Sequence, residues 1–194
     1  AVPSGSTISR TVEISAAYNF IQPGPYSVTA TVLVRDTGEA FQVAYPRRVE
    51  LVKGITLLEQ EVGLPTLPAD PNAPAETRRY ALVQVRHNSQ LFLYFRLADA
   101  AGTKIYRTFP LGPLVAFGRP EFQIDRRSYL HVLFQSGARA FTYSAINPSG
   151  DVVIRHLHEN VGARPSLVTD AAGDILVKGG LRRPQPTDLP PALT

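Results

Sequence analysis

His156-Leu157-His158 is the pair best placed in this chain to hold a metal ion. Residues two apart on an extended strand share a face, so the imidazoles would stand about 7 Å apart. Glu159 follows directly, and His131, within Tyr129-Leu130-His131-Val132-Leu133-Phe134, could approach in space. Spacing fixes no third ligand, so these read as strand histidines and no metal or other cofactor is expected. Asp125, Asp170 and Asp174 are of the type that does acid–base work. Each, however, stands between apolar runs, where an aspartate accepts hydrogen bonds from nearby backbone amides. No Gly-X-Ser-X-Gly elbow is present, and Pro148-Ser149-Gly150 reads as a turn. Lys178-Gly179-Gly180 lacks the upstream glycine and downstream hydroxyl of a phosphate loop. Cysteine is absent, which excludes thiol catalysis, disulfides and zinc knuckles. No catalytic, cofactor-binding or metal-binding residue is assigned, and the chain reads as a non-enzyme.

The elements that carry these residues repeat. Arg119-Pro120 recurs as Arg164-Pro165 and Asp125 as Asp170, both at a spacing of 45. Each copy runs from Arg-Pro through an apolar pair to Asp, a turn and another apolar strand, and a period of this length fits a propeller blade. From Tyr80 onward the alternation predicts strands at Ala81–Val85, Leu91–Leu97 and Lys104–Phe109. A second group follows at Phe122–Ile124, Tyr129–Gln135, Ala140–Ile146 and Val152–His156, and a third begins at Leu167–Val168 and Ile175–Val177. The unit resembles the blades of bacterial β-propellers. Two blades and a fraction do not close a ring, so unpaired edges are expected.

Residues 1–62 read as a small β-sandwich. Ile8–Ile14 can alternate, and Pro23-Gly24-Pro25 is a turn. Along Tyr26–Val34 the residues Tyr26, Val28, Ala30, Val32 and Val34 share a face. Asp36-Thr37-Gly38-Glu39 suits a hairpin turn, and short strands follow at Phe41–Tyr45 and Val49–Val52. Ile55–Val62 fits one or two helical turns or a strand equally well. The Pro-Gly-X-Tyr opening and these strands resemble immunoglobulin-like or macroglobulin-like domains of exported bacterial proteins. Residues 63–79 carry Pro65, Pro68, Pro71 and Pro74 at the polyproline II interval and are expected to form a stiff linker. Blade-like repeats would then occupy 80–181, and 182–194 would be a proline-rich tail, loose or strapped over a neighbour. The fold class expected is all-β: a small immunoglobulin-like sandwich followed by two to three antiparallel blade-like sheets that do not close a ring.

At 194 residues, 44% hydrophobic and 19% charged, the chain can bury a core. Net charge is +4, and all the basic residues but Lys53, Lys104 and Lys178 are arginine. They are scattered singly or in pairs without any nucleic-acid-binding signature, so no nucleic-acid partner is expected. No apolar stretch is long enough to span a bilayer. The Ala1-Val2-Pro3-Ser4 start and the lack of methionine suit a signal-peptidase product, with a trimmed chain as the alternative. Export to the periplasm, cell surface or medium is therefore expected. Phe92 and Tyr94 on one face of a strand, and Leu93 and Phe95 on the other, predict a strand covered on both sides. The function expected is a structural or accessory subunit contacting itself or another envelope or extracellular protein. The alternative is a glycan-binding module using Tyr94, Tyr106 or Tyr143 beside arginines.

Overall fold

Residues 5–7, 9, 11–12, 22–34, 37–64 and 76–190 are described in the computed structural model. The chain divides into two units, Ala1–Lys53 and Gly54–Thr194. Among the described residues there are strands and no helix, every sheet is antiparallel, and no sheet closes on itself.

In the first unit β1 (Gly24–Val28) pairs with β4 (Arg47–Leu51), and β2 (Thr31–Val34) with β3 (Glu39–Gln42). The amide of Val43 donates to the carbonyl of Ala30, so the two pairs run on as one antiparallel ribbon. Gly38, at φ +71°, makes the turn that Asp36-Thr37-Gly38-Glu39 predicts. Val32, Leu33, Phe41 and Val49 are exposed on the ribbon. The strand predicted at Ile8–Ile14 lies largely outside the described residues.

The second unit begins with a meander of β5 (Ile55–Gly63), β6 (Thr77–His87), β7 (Gln90–Asp99) and β8 (Ile105–Leu114). β5 is the segment whose sequence suited helix and strand equally. Eight of its positions are paired along β6, from Ile55↔Gln84 to Gly63↔Thr77, so it belongs with the second unit and the first ends at Lys53, not at residue 62. The proline-rich stretch is bounded differently too. Residues 65–75 lie outside the described residues, but Leu64 donates to the carbonyl of Glu76 at 2.8 Å. The two described residues that flank it are therefore paired across the end of β5 and β6, and residues 77–79 already belong to β6.

A second meander follows: β9 (Glu121–Ile124), β10 (Leu130–Gln135), β11 (Ala140–Ile146) and β12 (Val152–Glu159). β15 (Leu181–Arg183) adds to the outer edge of β12 to complete a five-stranded sheet, and β13 (Ser166–Thr169) with β14 (Ile175–Lys178) forms a separate hairpin. Residues 182–183 are thus sheet and not tail. Pro184 and Pro186, which lack amide donors, interrupt the pairing, and it resumes where Leu189 and Arg155 exchange both backbone bonds at 2.8 and 3.1 Å. Gly179 and Gly180, at φ +83° and +64°, let the chain turn into this strap. A Cβ at Gly180 would lie 2.6 Å from the Pro165 ring, which is the structural reason for the Lys178-Gly179-Gly180 sequence.

Period-two alternation stacks these layers. Tyr80, Leu82, Leu93, Phe95 and Leu97 of the four-stranded sheet meet Leu130, Val132, Phe134 and Ile146 of the five-stranded sheet in the main core. Phe95 lies at its centre, edge-on to Tyr80 at 5.6 Å and beside Phe109 at 5.4 Å. Leu133, Phe141, Tyr143 and Ala145, on the opposite face of the five-stranded sheet, meet Leu167 and Ile175 of the hairpin. Glu121 Oε2 accepts the amide of Leu167, and Thr169 Oγ1 donates to Gln123 Oε1, joining β9 to β13.

Candidate functional site

The aspartates singled out by the repeat are corners. Asp125 Oδ1 accepts the amides of Arg127 and Tyr129 at 2.9 and 2.8 Å, and Asp170 Oδ1 accepts those of Ala172 and Asp174 at the same distances. Asn147, outside the 45-residue register, does the same for Ser149 and Asp151. In all three the fourth residue is left-handed: Ser128, Gly150 and Gly173. Asp174 reaches only Arg126, at 3.9 Å. These carboxylates shape turns and do not converge in a cleft.

Asp125 has a second role. Its Oδ2 lies 3.4 Å from His131 Nε2, and His131 Nδ1 lies 2.7 Å from the Tyr143 hydroxyl. A carboxylate only accepts, so Nε2 carries the ring proton and Nδ1 accepts from Tyr143. Burial holds His131 below the usual imidazole range, against the pull of Asp125. Burial also pushes Tyr143 up to about 12. For Asp125 burial opposes the charge, but the Tyr129 and Arg127 amides and the His131 ring outweigh it, and its carboxyl sits below the usual range. The arrangement of an acid, an imidazole and a hydroxyl has the form of a proton relay. Its side chains are buried beneath the β13–β14 hairpin, where they order the second core.

His156 and His158 lie on β12 beside Tyr143, at ring distances of 6.2 and 6.5 Å, with His158 Nε2 buried and without a hydrogen-bond partner. His156 borders a cavity of about 200 Å³ under the strap with Arg155, Gln185, Thr187 and Asp188. Glu159 is taken by Arg183 and Arg139. Among the described residues no three His, Cys, Asp or Glu side chains form a metal-holding group, and no helix is long and apolar enough to cross a membrane. Of the aromatics expected to stack on a sugar, Tyr143 is buried, and Tyr106 is covered by Arg78 at 4.0 Å and Lys104 at 5.2 Å. Tyr106 nevertheless remains exposed, and Tyr94 is partly buried.

Tyr94 belongs to the surface that sequence reasoning pointed to through β7. Leu93 and Phe95 are wholly buried against the five-stranded sheet, while Phe92 and Tyr94, on the other side, are half-exposed. Strand register assembles that outer face: Phe92 beside Val85 and Pro113, Tyr94 beside Val83 and Pro110, Arg96 beside Ala81 and Thr108, with Glu59 on the far side of Ala81. Gly54 packs over the end near Val83 and Val85, where any Cβ would collide with Val83. At the other end Arg79 is held by Glu61 at 2.9 Å and Glu59 at 3.4 Å. Arg96 opens on a cavity of about 140 Å³ and has no hydrogen bond or ion pair among the described residues. No alternation or spacing could have announced that missing partner.

Two of the sheet edges are less available than the face. Pro110 and Pro113 remove donors from the β8 edge, and β15 with Leu189 covers β12. No family model, curated protein or solved structure matches this chain.

Proposed function

We propose that this protein is an exported, non-catalytic structural or accessory subunit that works by contact with another protein surface at the cell envelope or outside the cell. The contact surface in this reading is the outer face of the four-stranded sheet. One observation carries it: β7 alternates wholly buried Leu93 and Phe95 with partly exposed Phe92 and Tyr94, leaving one apolar face without a covering layer among the described residues of its unit. The closed hydrogen-bonding of Asp125, His131 and Tyr143 supports the non-catalytic part. The two meanders and the β13–β14 hairpin, stacked face to face and joined by like corners, are blade-like, and the ribbon of the first unit is read as part of an immunoglobulin-like sandwich.

The experiment is photo-crosslinking in the producing cell from a photoreactive phenylalanine at Phe92, with the same probe at exposed Phe122 as control. Protein adducts from position 92 that Tyr94→Asp removes are expected. Adducts from neither position, or from Phe122 alone, overturn the reading.

A further inference from the structure

Arg96 and Glu59 flank Ala81 symmetrically. Glu59 is the register partner of Ala81 on one side and Arg96 on the other, so acid and base stand about 4.8 Å either side of β6. Ala81 is a small residue and is buried to 1% exposure, leaving no bulk between them. Most arginines nearby are satisfied within the chain: Arg79 by Glu59 and Glu61, Arg78 by Glu76, Arg107 by Asp151. Arg96 is half-buried on a contact-like face, beside a cavity, with no such partner.

We propose that two copies of this chain pack outer face to outer face, about a twofold axis parallel to β6 at Ala81, so that Arg96 of each meets Glu59 of the other. The inference rests on the reading above that this face is the contact surface, and adds the occupant. The axis direction follows from charge. A twofold along β6 exchanges its two sides and sets Glu59 over Arg96 twice, whereas a twofold across the strands sets like over like. Arg79 falls near the axis in this arrangement, its charge held by its own Glu59 and Glu61, and the joined cluster of Glu59, Glu61, Arg79 and Arg96 from both copies is neutral. Strands of the two copies then run in a common direction, as aligned sheet packing requires. Strands of about ten residues, four abreast, give a face of roughly 33 by 19 Å, about 630 Å², at the low end of the roughly 600–1,000 Å² per partner of a standard interface. The interface is isologous and closes at two copies.

Sedimentation velocity of the full chain over a wide concentration range tests this. The wild type is expected to form a dimer. Arg96→Glu and Glu59→Arg are each expected to weaken it at least about tenfold, because like charges then face each other at both symmetric sites. The double variant is expected to restore it. Arg96→Gln and Glu59→Gln, milder changes, should weaken the dimer less, and they serve if a reversal perturbs folding. A chain that stays monomeric throughout, a dimer indifferent to all these changes, or a double variant that fails to recover overturns the proposal. A monomer that still gives Tyr94-dependent adducts from position 92 overturns the twofold pairing and leaves the contact reading standing; absence of adducts removes both.

Discussion

The Tyr143 hydroxyl sits 2.7 Å from His131 Nδ1 and donates to it, the opposite ring nitrogen carrying its proton toward Asp125. Tyr143→Phe strips the buried ring of its donor while keeping the volume. It is expected to lower stability by about 1–3 kcal/mol, read from urea unfolding curves, with the all-β circular dichroism unchanged.

Acid should loosen the second unit before it affects any turn carboxylate. Burial holds His131, His156 and His158 below the usual imidazole value of 6.5. Between that value and their folded values the unfolded chain binds protons that the folded chain refuses, so stability falls as pH drops. The melting temperature should be flat above about pH 6.5 and decline below it. His158→Phe, which also removes the unpartnered Nε2, should flatten that decline. A melting temperature independent of pH down to the carboxylate range would contradict this.

Asp125 and Asp170 hold like corners, and only Asp125 also holds His131. Asp170→Ala should cost about 1 kcal/mol, the loss of local amide bonds at an exposed turn. Asp125→Ala should cost about 2–4 kcal/mol, because a buried imidazole also loses its acceptor. Chemical denaturation of the pair side by side measures the difference, and equal losses would remove the coupling.

Phe95 sets the scale of the core. Fully buried between the two large sheets, its replacement by alanine is expected to cost about 3–5 kcal/mol. Phe92→Ala, on the half-exposed face of the same strand, should cost the isolated chain far less. Thermal unfolding of both variants tests the asymmetry.

The strands were legible because alternation and Asp- or Asn-led corners are written locally: Tyr129–Gln135, Ala140–Ile146 and Val152–His156 fall on β10, β11 and β12 within a residue or so, except that β12 runs on to Glu159. What was not legible depends on partners distant in sequence. Ile55–Val62 carries no local sign that β6 will claim it, and a proline-rich loop has the composition of a linker whether or not its ends meet. Pro184 and Pro186 suggested that the tail leaves the sheet, yet Leu189 has the free amide needed to rejoin it. Within the site, the two-sided apolar pattern of β7 was readable. The lone guanidinium of Arg96 was not, since a missing counter-ion leaves no trace in the order of residues.

Leu181–Arg183 and Leu189 close over β12, which precedes them in the chain. Wherever that segment lifts away, the outer amides of β12 become an open edge. The strap is therefore a guard against edge-to-edge mispairing with neighbouring molecules as well as a part of the sheet.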